Sequence, residues 1–469
     1  MAQPRPDGVR RRNPLHRQGC GERAGSRFRS DGRPVRTRNA QSAPRESRFG
    51  RCHDCNAQQW RRGGKWSGMS GALAGLTVID LTRVLAGPLA SMMLADMGAE
   101  VIKVEEPGTG DLYRASSTIN LNGESVNFLS TNRNKKSMTL ALDRAQGLRI
   151  LEQLVAGADV LIENFRPGVT QKLGIDYARL KAINPRLVYC SITGFGPDGP
   201  YRNRTAVDPI IQAESGIMSL TGEQNRGPVR IGSAVGDIYG AMLATQGMLL
   251  ALYARDRSAP TKEEQRGEHV ELSLFDAAVF GLIPREGEYF ATGTVFPRMG
   301  SAHPQFVPFQ AFATSDGHVF IAAFHDTLWK KLCAALGRPE LPGDPRFATG
   351  AERSRHRAAL LAILEPILAT RTAAQWVEIL ESAGVPVGRI NSLADVFQHP
   401  QILHNGMVVD MTHPVAGPIK VLRHPLRMSE NPASIRTPPP LLGEHTAEVL
   451  GRLGYDAADI EELRQDGVI

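Results

Sequence analysis

Residues 76–105 read LTVIDLTRVLAGPLASMMLADMGAEVIKVE. This stretch decides the fold of the body of the chain, because an apolar run, a loop, a helix that can start at a proline and a second apolar run follow one another: Leu76–Leu81, Thr82–Gly87, Pro88–Met97 and Glu100–Glu105. Two strands joined by a helix within about 30 residues indicate a right-handed crossover and a parallel sheet.

The same pattern recurs further along the chain. We predict more strands, separated by helices over 147–156 and 177–183, at Ser137–Leu142, Asp159–Glu163, Leu187–Thr193 and His269–Leu274. The fold class is therefore α/β, with a doubly wound, Rossmann-like parallel sheet. The loop Thr82–Pro88 lacks a glycine-rich dinucleotide fingerprint and no P-loop occurs, so a nicotinamide, flavin or nucleotide cofactor is unsupported.

The sequence pattern changes after the strands of the sheet, from about Tyr289. Glycines and prolines there indicate a segment of loops. A strand at Val319–Ala323 and helices rich in Ala and Leu follow, which indicates a smaller α+β domain. We expect four segments: a leader at 1–68, the first part of the large domain at 69–285, the small domain at 286–398, and a return to the large domain at 399–469.

The basic charge of the chain is confined to its leader. Residues 1–68 hold 17 Lys and Arg against five Asp and Glu, whereas the whole chain holds 55 against 48. The body is thus mildly acidic and gives no case for binding nucleic acid. The leader has no apolar periodicity and no secretory core, so we expect it to be disordered. Met69, directly before the first strand, would make a natural start of translation.

The cysteines and the apolar runs indicate the cellular compartment of the protein. Cys52 and Cys55 have a spacing that suits zinc, but no second ligand pair follows, so we predict no metal site. Cys190 and Cys333 are isolated, which favours a reducing compartment, and we expect a cytoplasmic protein. No continuous apolar run reaches the roughly 18–20 residues that span a bilayer, so we expect no membrane partner.

Asp237 is the most informative single residue. It follows the glycine-rich run Val229–Gly236 and precedes Ile238–Ala254, which is apolar nearly all round and indicates a buried helix. A carboxylate at the start of a buried helix either caps that helix or attacks an electrophile. The local sequence alone favours the cap.

The order and spacing of several short motifs give the chain a resemblance to a known family. From Leu73 to Ile469 it resembles the family III CoA-transferases, which include formyl-CoA and crotonobetainyl-CoA transferases. The motifs are Val78–Leu81, Leu85–Pro88, Gly98–Glu105, Gly110–Arg114, Asn132–Ser137, Glu163–Gly168, Asn184–Arg186, Gly194–Gly196, Asp316–Gly317 and Leu442–Thr446. Ala302–His303 before Val307–Phe312, and Leu403–Met407, resemble the subgroup that acts on succinyl-, glutaryl- or hydroxymethylglutaryl-CoA.

This resemblance implies a covalent mechanism at Asp237. The aspartate attacks the acyl-CoA thioester to give an aspartyl-acyl anhydride and then an aspartyl-CoA thioester, from which an acceptor carboxylate takes the CoA. Acyl-CoA and a carboxylic acid are then the substrates, and no permanently bound cofactor, metal or ATP is needed. The family also implies a homodimer of interlocked chains.

The resemblance further implies which residues bind CoA: Leu85, Ala86, Leu140, Asn164, Phe165, Arg166, Lys172, Arg204 and Val207. Among these, Arg166, Lys172 and Arg204 would meet the CoA phosphates, although without the resemblance Arg166 and Lys172 are ordinary surface charges. Glu106 departs from the formyl-CoA enzyme, which has a phosphate-contacting arginine at this position. That enzyme's glycine-rich lid is also absent around Gly293–His303. His303 is a candidate for binding the acceptor carboxylate or is simply an exposed loop histidine.

Two other functions share this fold. A racemase acting on α-methylacyl-CoA needs a histidine directly before an aspartate as a proton-transfer pair. The matching residues here are Ala206-Val207-Asp208, and Val207 cannot move a proton. A CoA-binding protein without catalysis would be expected to have lost Asp237. The sequence therefore favours the transferase over both alternatives.

Overall fold

The structure is a computed structural model, and it describes residues 70–469. Our predictions for the leader and for Cys52 and Cys55 lie outside the described residues. The strands of the described part are β1 (Thr77–Asp80), β2 (Glu100–Glu105), β3 (Asn120–Leu121), β4 (Glu124–Ser125), β5 (Lys135–Thr139), β6 (Val160–Glu163), β7 (Val188–Thr193), β8 (His269–Ser273), β9 (Phe309–Ala313), β10 (His318–Ala322), β11 (Val387–Arg389), β12 (Val408–His413) and β13 (Gly417–Leu422).

The α-helices of the same residues are α1 (Ala86–Asp96), α2 (Val126–Thr131), α3 (Ala145–Gly157), α4 (Val169–Leu173), α5 (Tyr177–Ile183), α6 (Asp208–Glu214), α7 (Ile217–Leu220), α8 (Val235–Arg257), α9 (Leu274–Phe280), α10 (Arg285–Thr292), α11 (Asp326–Ala335), α12 (Gly350–Arg355), α13 (Arg357–Leu368), α14 (Ala373–Ser382), α15 (Leu393–Gln398), α16 (Pro400–Asn405), α17 (Thr446–Arg452) and α18 (Ala457–Gln465). Short 3₁₀ turns lie at Leu112–Arg114 and Leu341–Gly343.

Six parallel strands form the central sheet, in the order β5-β2-β1-β6-β7-β8. The order reverses between β1 and β6, which is the crevice where ligands of doubly wound folds bind, at the carboxyl ends of the strands. The prediction of a mixed α/β fold with a parallel sheet is confirmed. Strand β2 begins and ends at the predicted residues, because both of its faces are buried and its apolar run is continuous.

Both faces of the sheet are covered by helices. One face packs against α3 and the C-terminal helices, so that Leu151, Val449 and Leu463 share one core. The other face packs against α1 and α8, whose Ala90 and Ala244 belong to a second core. The C-terminal helices thus pack on the large sheet, and the segment bounds 399–469 stay a prediction.

A separate core lies in the smaller part of the chain. It gathers residues from Val307 to Val387 around Trp329, beneath the three-stranded antiparallel sheet β11-β10-β9. This region combines a small sheet with helices, in keeping with the α+β character predicted for it. The boundaries at 286 and 398 stay predictions.

Helix α8 differs from our expectation of a helix buried on all sides. Its inner face packs on the sheet and on α1, but Met242, Leu250 and Tyr253 are 54%, 59% and 63% exposed. Within residues 70–469 it is the one helix that is long and apolar enough to span a membrane by length and composition. The count of uninterrupted apolar residues missed it because Thr245 and Gln246 interrupt the run. Core packing on its inner face accounts for much of that apolar character.

Candidate active site

Asp237 lies in the first turn of α8, after a loop that is largely exposed. Helix α8 precedes β8 and runs antiparallel to the strands, so its N-terminal end stands at the edge of the sheet where the strands end. The positive end of the helix dipole points toward this edge and stabilises negative charge there. The local geometry is therefore suited to a reacting carboxylate.

The environment of Asp237 shifts its protonation. Burial, and then the negative charge of Asp208, raise the pKa of Asp237 to about 7. Within residues 70–469 no hydrogen bond to its side chain occurs. A half-buried carboxylate without a partner is more reactive than a solvated one, and such perturbed groups concentrate at functional sites.

Asp208 caps the helix that carries the candidate nucleophile. It is buried at the start of α6, and its Oδ1 accepts the backbone N–H of Gly236 at 2.8 Å. A Cβ at position 236 would lie 3.1 Å from this Oδ1 and 3.1 Å from Cγ2 of Ile211. Glycine therefore allows the close approach of the loop to α6. The capping role that the local sequence favoured for Asp237 belongs to Asp208.

The loop after β1 is held in an unusual conformation at the same edge of the sheet. Val84 has a φ of +72°, in the left-handed region, which for a β-branched residue costs about 1–3 kcal/mol. Its N–H donates to Oδ1 of Asp111 at 2.9 Å. The preceding residue, Arg83, bonds through its N–H and its carbonyl to the Asn164 amide, at 2.9 and 2.8 Å. Two side chains from other loops thus fix this backbone.

A buried ionic cluster lies beneath this loop. Lys103 Nζ is 2.8 Å from Oδ2 of Asp111 and donates to the carbonyl of Thr82 at 2.6 Å. Lys135 Nζ donates to Oδ2 of Asp80 at 3.1 Å, with all four ionic side chains fully buried. Burial lowers the pKa of Lys135 to about 8, although the Asp80 charge opposes this. For Lys103 the charges of the nearby carboxylates outweigh burial and raise the pKa.

Tyr113 joins this cluster to the candidate nucleophile. Its N–H donates to Oδ1 of Asp111 at 3.0 Å. Burial and the negative charges of Asp237, Asp111 and Asp208 raise the pKa of its phenol. The turn Leu112–Arg114 therefore shares one electrostatic environment with Asp237 and Asp208. The sequence marks Gly110–Arg114 as a family motif but indicates no role for Tyr113.

Packing between helices brings the loop after β1 and Asp237 to the same edge of the sheet. Helices α1 and α8 both begin at this edge and pack together in one core. Thr245 Oγ1 donates to the carbonyl of Ala90 at 3.5 Å. The loop after β1 leads into α1, and the candidate nucleophile Asp237 lies on its neighbour α8.

The apolar residues predicted to contact CoA differ in exposure. Leu85 and Phe165 are partly exposed beside the first loop, and the guanidinium of Arg83 lies 5.5 Å from the Phe165 ring centre. Ala86 is 3% exposed, and Leu140, at 1%, packs into the core with its side chain turned away from solvent. Only the backbone of Leu140 is left to meet a ligand. Val207 is 55% exposed directly before α6.

The predicted phosphate-binding cations are all exposed. Arg166 precedes α4, and Lys172 lies in the last turn of that helix. Arg204 is already engaged, since its guanidinium donates to Glu214 at 2.6 Å and stacks on Tyr201 at 4.4 Å. Glu106 is 3.5 Å from the guanidinium of Arg83, so the residue that departs from the family pattern has a cationic partner of its own.

His303 is held in one orientation by its neighbours. Its Nδ1 accepts the N–H groups of Gln305 and Phe306 at 3.1 and 3.2 Å, and its ring stacks on Phe306. Burial and the charges of Arg285 and Arg357 lower the pKa of His303, which favours the neutral imidazole. Its Nε2–H then remains as a donor toward an acceptor oxygen.

The described part of the chain offers no obvious metal-binding group. Among residues 70–469, no three His, Cys, Asp or Glu side chains are grouped as they would be around an ion. The carboxylates nearest to the candidate site are engaged by Lys103, Gln212 or backbone N–H groups instead.

Comparison with known proteins identifies the family. Residues 73–446 match the family described as CoA-transferase family III. The succinyl-CoA:glutarate CoA-transferase of Mus musculus is 40% identical over 398 residues, which cover 85% of this chain and 90% of the mouse protein. The succinate–glutarate CoA-transferase of Agrobacterium fabrum is 37% identical, over 81% of this chain and 95% of its own length.

Solved structures give the same relationship. A CaiB/BaiF family protein from Brucella suis superposes with a TM-score of 0.74 at 40% identity, covering 82% of this chain and all of that protein. This chain is an enzyme that belongs to CoA-transferase family III.

Proposed function

We propose that this enzyme transfers CoA from succinyl-CoA, or another dicarboxylyl-CoA, to a carboxylic acid acceptor, with Asp237 as the covalent nucleophile. The observation that carries the proposal is the Asp237 carboxylate, which is half-buried and unpartnered at the start of α8 with its pKa raised to about 7. The substrates are inferred from the relatives named for succinate and glutarate.

The reaction proceeds by acyl exchange on Asp237. A carboxylate oxygen attacks the thioester carbonyl, the carbon–sulfur bond breaks, and CoA thiolate leaves an aspartyl-acyl anhydride. The thiolate then attacks the Asp237 carbonyl carbon, which releases the donor acid and forms an aspartyl-CoA thioester. The acceptor carboxylate attacks this thioester carbonyl, freeing the thiolate again, and the thiolate attacks the acceptor's acyl carbon to release new acyl-CoA and Asp237.

The local electrostatics favour each of these steps. The carboxylate is desolvated, so its attack requires little loss of hydration. Oxyanions that form at its carbonyl lie near the positive end of the α8 dipole. Each exchange replaces one activated acyl group by another, so the sequence of steps balances without ATP or a redox partner. No permanently bound cofactor is part of the proposal.

The CoA moiety would lie along the carboxyl edge of the sheet. Two pairs of residues flank the crevice between β1 and β6: Leu85 and Ala86 lie after β1, and Asn164 and Phe165 lie after β6. In the proposal Arg166, Lys172 and Arg204 meet the phosphates as exposed cations, and Val207 and the Leu140 backbone complete the contacts. Glu106 pairs with Arg83. We therefore expect the adenine end of CoA to be contacted by a cation at a position other than 106.

The acceptor would be a small carboxylic acid held in part by His303. A neutral imidazole with Nδ1 already bonded presents one N–H donor, which matches a single carboxylate oxygen. His303 lies in the segment that replaces the glycine-rich lid of the formyl-CoA enzyme. This difference supports an acceptor that is bound in another way.

We also propose that the enzyme is a cytoplasmic homodimer. The exposed apolar side chains of α8 are followed by more on α9 and after it, where Phe280 and Ile283 are 64% and 56% exposed. Contiguous apolar surface of this kind is typical of subunit interfaces. Cys190 and Cys333 are buried free thiols, which is compatible with a reducing compartment.

Trapping the covalent intermediate tests the proposed mechanism. Wild-type enzyme incubated with succinyl-CoA and then with hydroxylamine should carry a modification on the peptide that contains Asp237, identified by mass spectrometry. Asp237→Ala should carry none and should lose exchange activity while still binding CoA, because the CoA contacts come from other loops. Substantial turnover by Asp237→Ala, or a modification on Asp208 instead, would overturn the proposal.

A further inference from the structure

Helix α6 carries two buried polar side chains that face the loop before the nucleophile. Asp208 and Gln212 are four residues apart and therefore lie on the same face of the helix. Gln212 is fully buried. Because solvent does not reach its amide, the polar atoms of Gln212 have to be satisfied within the protein.

The loop before α8 provides hydrogen-bond partners for most of the polar atoms of Gln212. Oε1 of Gln212 accepts the N–H of Ile231 at 2.8 Å, and Nε2 donates to the carbonyl of Ser233 at 3.2 Å and to Oδ2 of Asp208 at 2.7 Å. Oδ1 of Asp208 accepts the N–H of Gly236. Two side chains on one helix thus bind three backbone groups within six consecutive residues.

Other contacts also hold the loop: Ile231 and Val235 pack against the core, and the guanidinium of Arg230 donates to the carbonyls of Ile231 and Gly232 at 3.3 Å. Residues 223–230 are exposed, as are Gly232 and Ser233, and glycine allows the backbone several conformations. Asp237 is the next residue after Gly236, so the position of its carboxylate depends on where the loop is fixed. The buried Gln212 amide joins two backbone groups of the loop, at Ile231 and at Ser233, to α6.

We propose that Gln212 is a positioning residue of the transferase: its carboxamide fixes residues 231–236 to α6 and so sets the position of the Asp237 carboxylate toward the thioester carbonyl. The proposal rests on Asp237 being the nucleophile. Gln212 is buried behind the loop and acts through it, without touching substrate. Misplacing a reacting atom by about 1 Å costs up to about 100-fold in rate. Loss of the amide should therefore lower kcat and leave the KM for acyl-CoA nearly unchanged.

Gln265 offers a matched control at the opposite end of α8. It is also buried, and its Nε2 donates to the carbonyls of Asp256 and Ala259 at 3.2 and 3.3 Å, while its Oε1 accepts from Arg186. Replacing Gln265 by Met removes a similar buried amide that holds a similar turn. Any effect that comes only from lost stability should appear equally in both variants.

The experiment compares Gln212→Met and Gln265→Met by kcat, KM and thermal midpoint. The kcat is expressed per active site, counted by the succinate released when the enzyme is mixed with succinyl-CoA in the absence of acceptor. We expect kcat to fall about 10- to 100-fold in Gln212→Met with KM changed less than about threefold, and kcat to be unchanged in Gln265→Met. A wild-type kcat in Gln212→Met, or equal losses in the two variants, would overturn the proposal.

Two further variants keep the test decisive. If Gln212→Met does not fold, Gln212→Asn keeps an uncharged amide that is one methylene too short to bond both Ile231 and Ser233, and it is expected to lose kcat in the same way. Asp237→Ala, measured in parallel, separates the two proposals. An active Asp237→Ala would overturn the nucleophile and the role of Gln212 with it, whereas an inactive Asp237→Ala beside a fully active Gln212→Met would overturn Gln212 alone.

Discussion

Lys103 and Asp111 form an ion pair of 2.8 Å with both side chains fully buried beneath the loop after β1. Each partner also holds the backbone of that loop, Lys103 at the carbonyl of Thr82 and Asp111 at the N–H of Val84. The pair therefore fastens the backbone that leads into Val84, the β-branched residue with a left-handed conformation in this loop. The buried ion pair is thus part of what holds this strained loop in place.

Asp111→Asn should be strongly destabilising. It leaves the Lys103 ammonium buried with one carboxylate fewer, and breaking a buried pair from one side costs about 3–5 kcal/mol. Urea denaturation measures the loss. The exposed pair of Lys420 with Asp410 is the control, and Asp410→Asn should leave the free energy of unfolding nearly unchanged because exposed pairs contribute little. Equal effects of the two substitutions would contradict this role of Asp111.

The rate of transfer should depend on the ionisation of Asp237. Since only the carboxylate attacks and its pKa is raised to about 7 by burial and by Asp208, kcat/KM should rise with pH through about 7 and level off above it. Asp208→Asn removes the charge contribution and should move the midpoint to lower pH. Rates with succinyl-CoA between about pH 5.5 and 8.5 measure both profiles. A wild-type profile that is flat over this range would contradict the prediction.

The same pKa predicts a cost of the nucleophile to stability. The Asp237 pKa is about 7 when folded against 3.8 for an ordinary Asp, so the protein takes up a proton on folding between these values. Stability is then lost as pH rises from about 4 to 7, and the full cost remains above pH 7. Asp237→Asn avoids it and should be more stable than wild type at pH 8, by on the order of 3 kcal/mol. Chemical denaturation at several pH values tests this, and the gap should shrink toward pH 4.

The sheet could be predicted from the sequence because its strands are buried on both faces. Such strands appear as continuous apolar runs between loops, and Glu100–Glu105 and Val188–Thr193 show this clearly. The N-terminal end of α8 was also visible, since a glycine-rich run gives way to an apolar helix there. Asp237 was therefore found as a candidate from local sequence and from its place in the family pattern.

The groups that hold the site could not be found in this way. Asn164 meets the backbone of Arg83 across 81 positions, and Gln212 meets Ile231 across 19. Nothing in the residues around Gln212 marks it as a loop anchor, because its partners are backbone groups and depend on the register of distant elements. The exposed face of α8 was also missed, since an apolar side chain in contact with solvent looks the same in sequence as one in a core.

That exposed face leads to a prediction on assembly. Met242, Leu250 and Tyr253 on α8, with Phe280 and Ile283 beyond it, present apolar surface that a stable monomer seldom exposes. We expect light scattering at micromolar concentration to give twice the chain mass of 51.0 kDa. Leu250→Glu with Tyr253→Glu would place two carboxylates in the interface without touching the inner face of α8, so this variant should shift toward monomer while keeping its helix content by circular dichroism. A monomer mass for the wild type, or a double variant that dimerises as tightly as the wild type, would show that this face is not where the subunits meet.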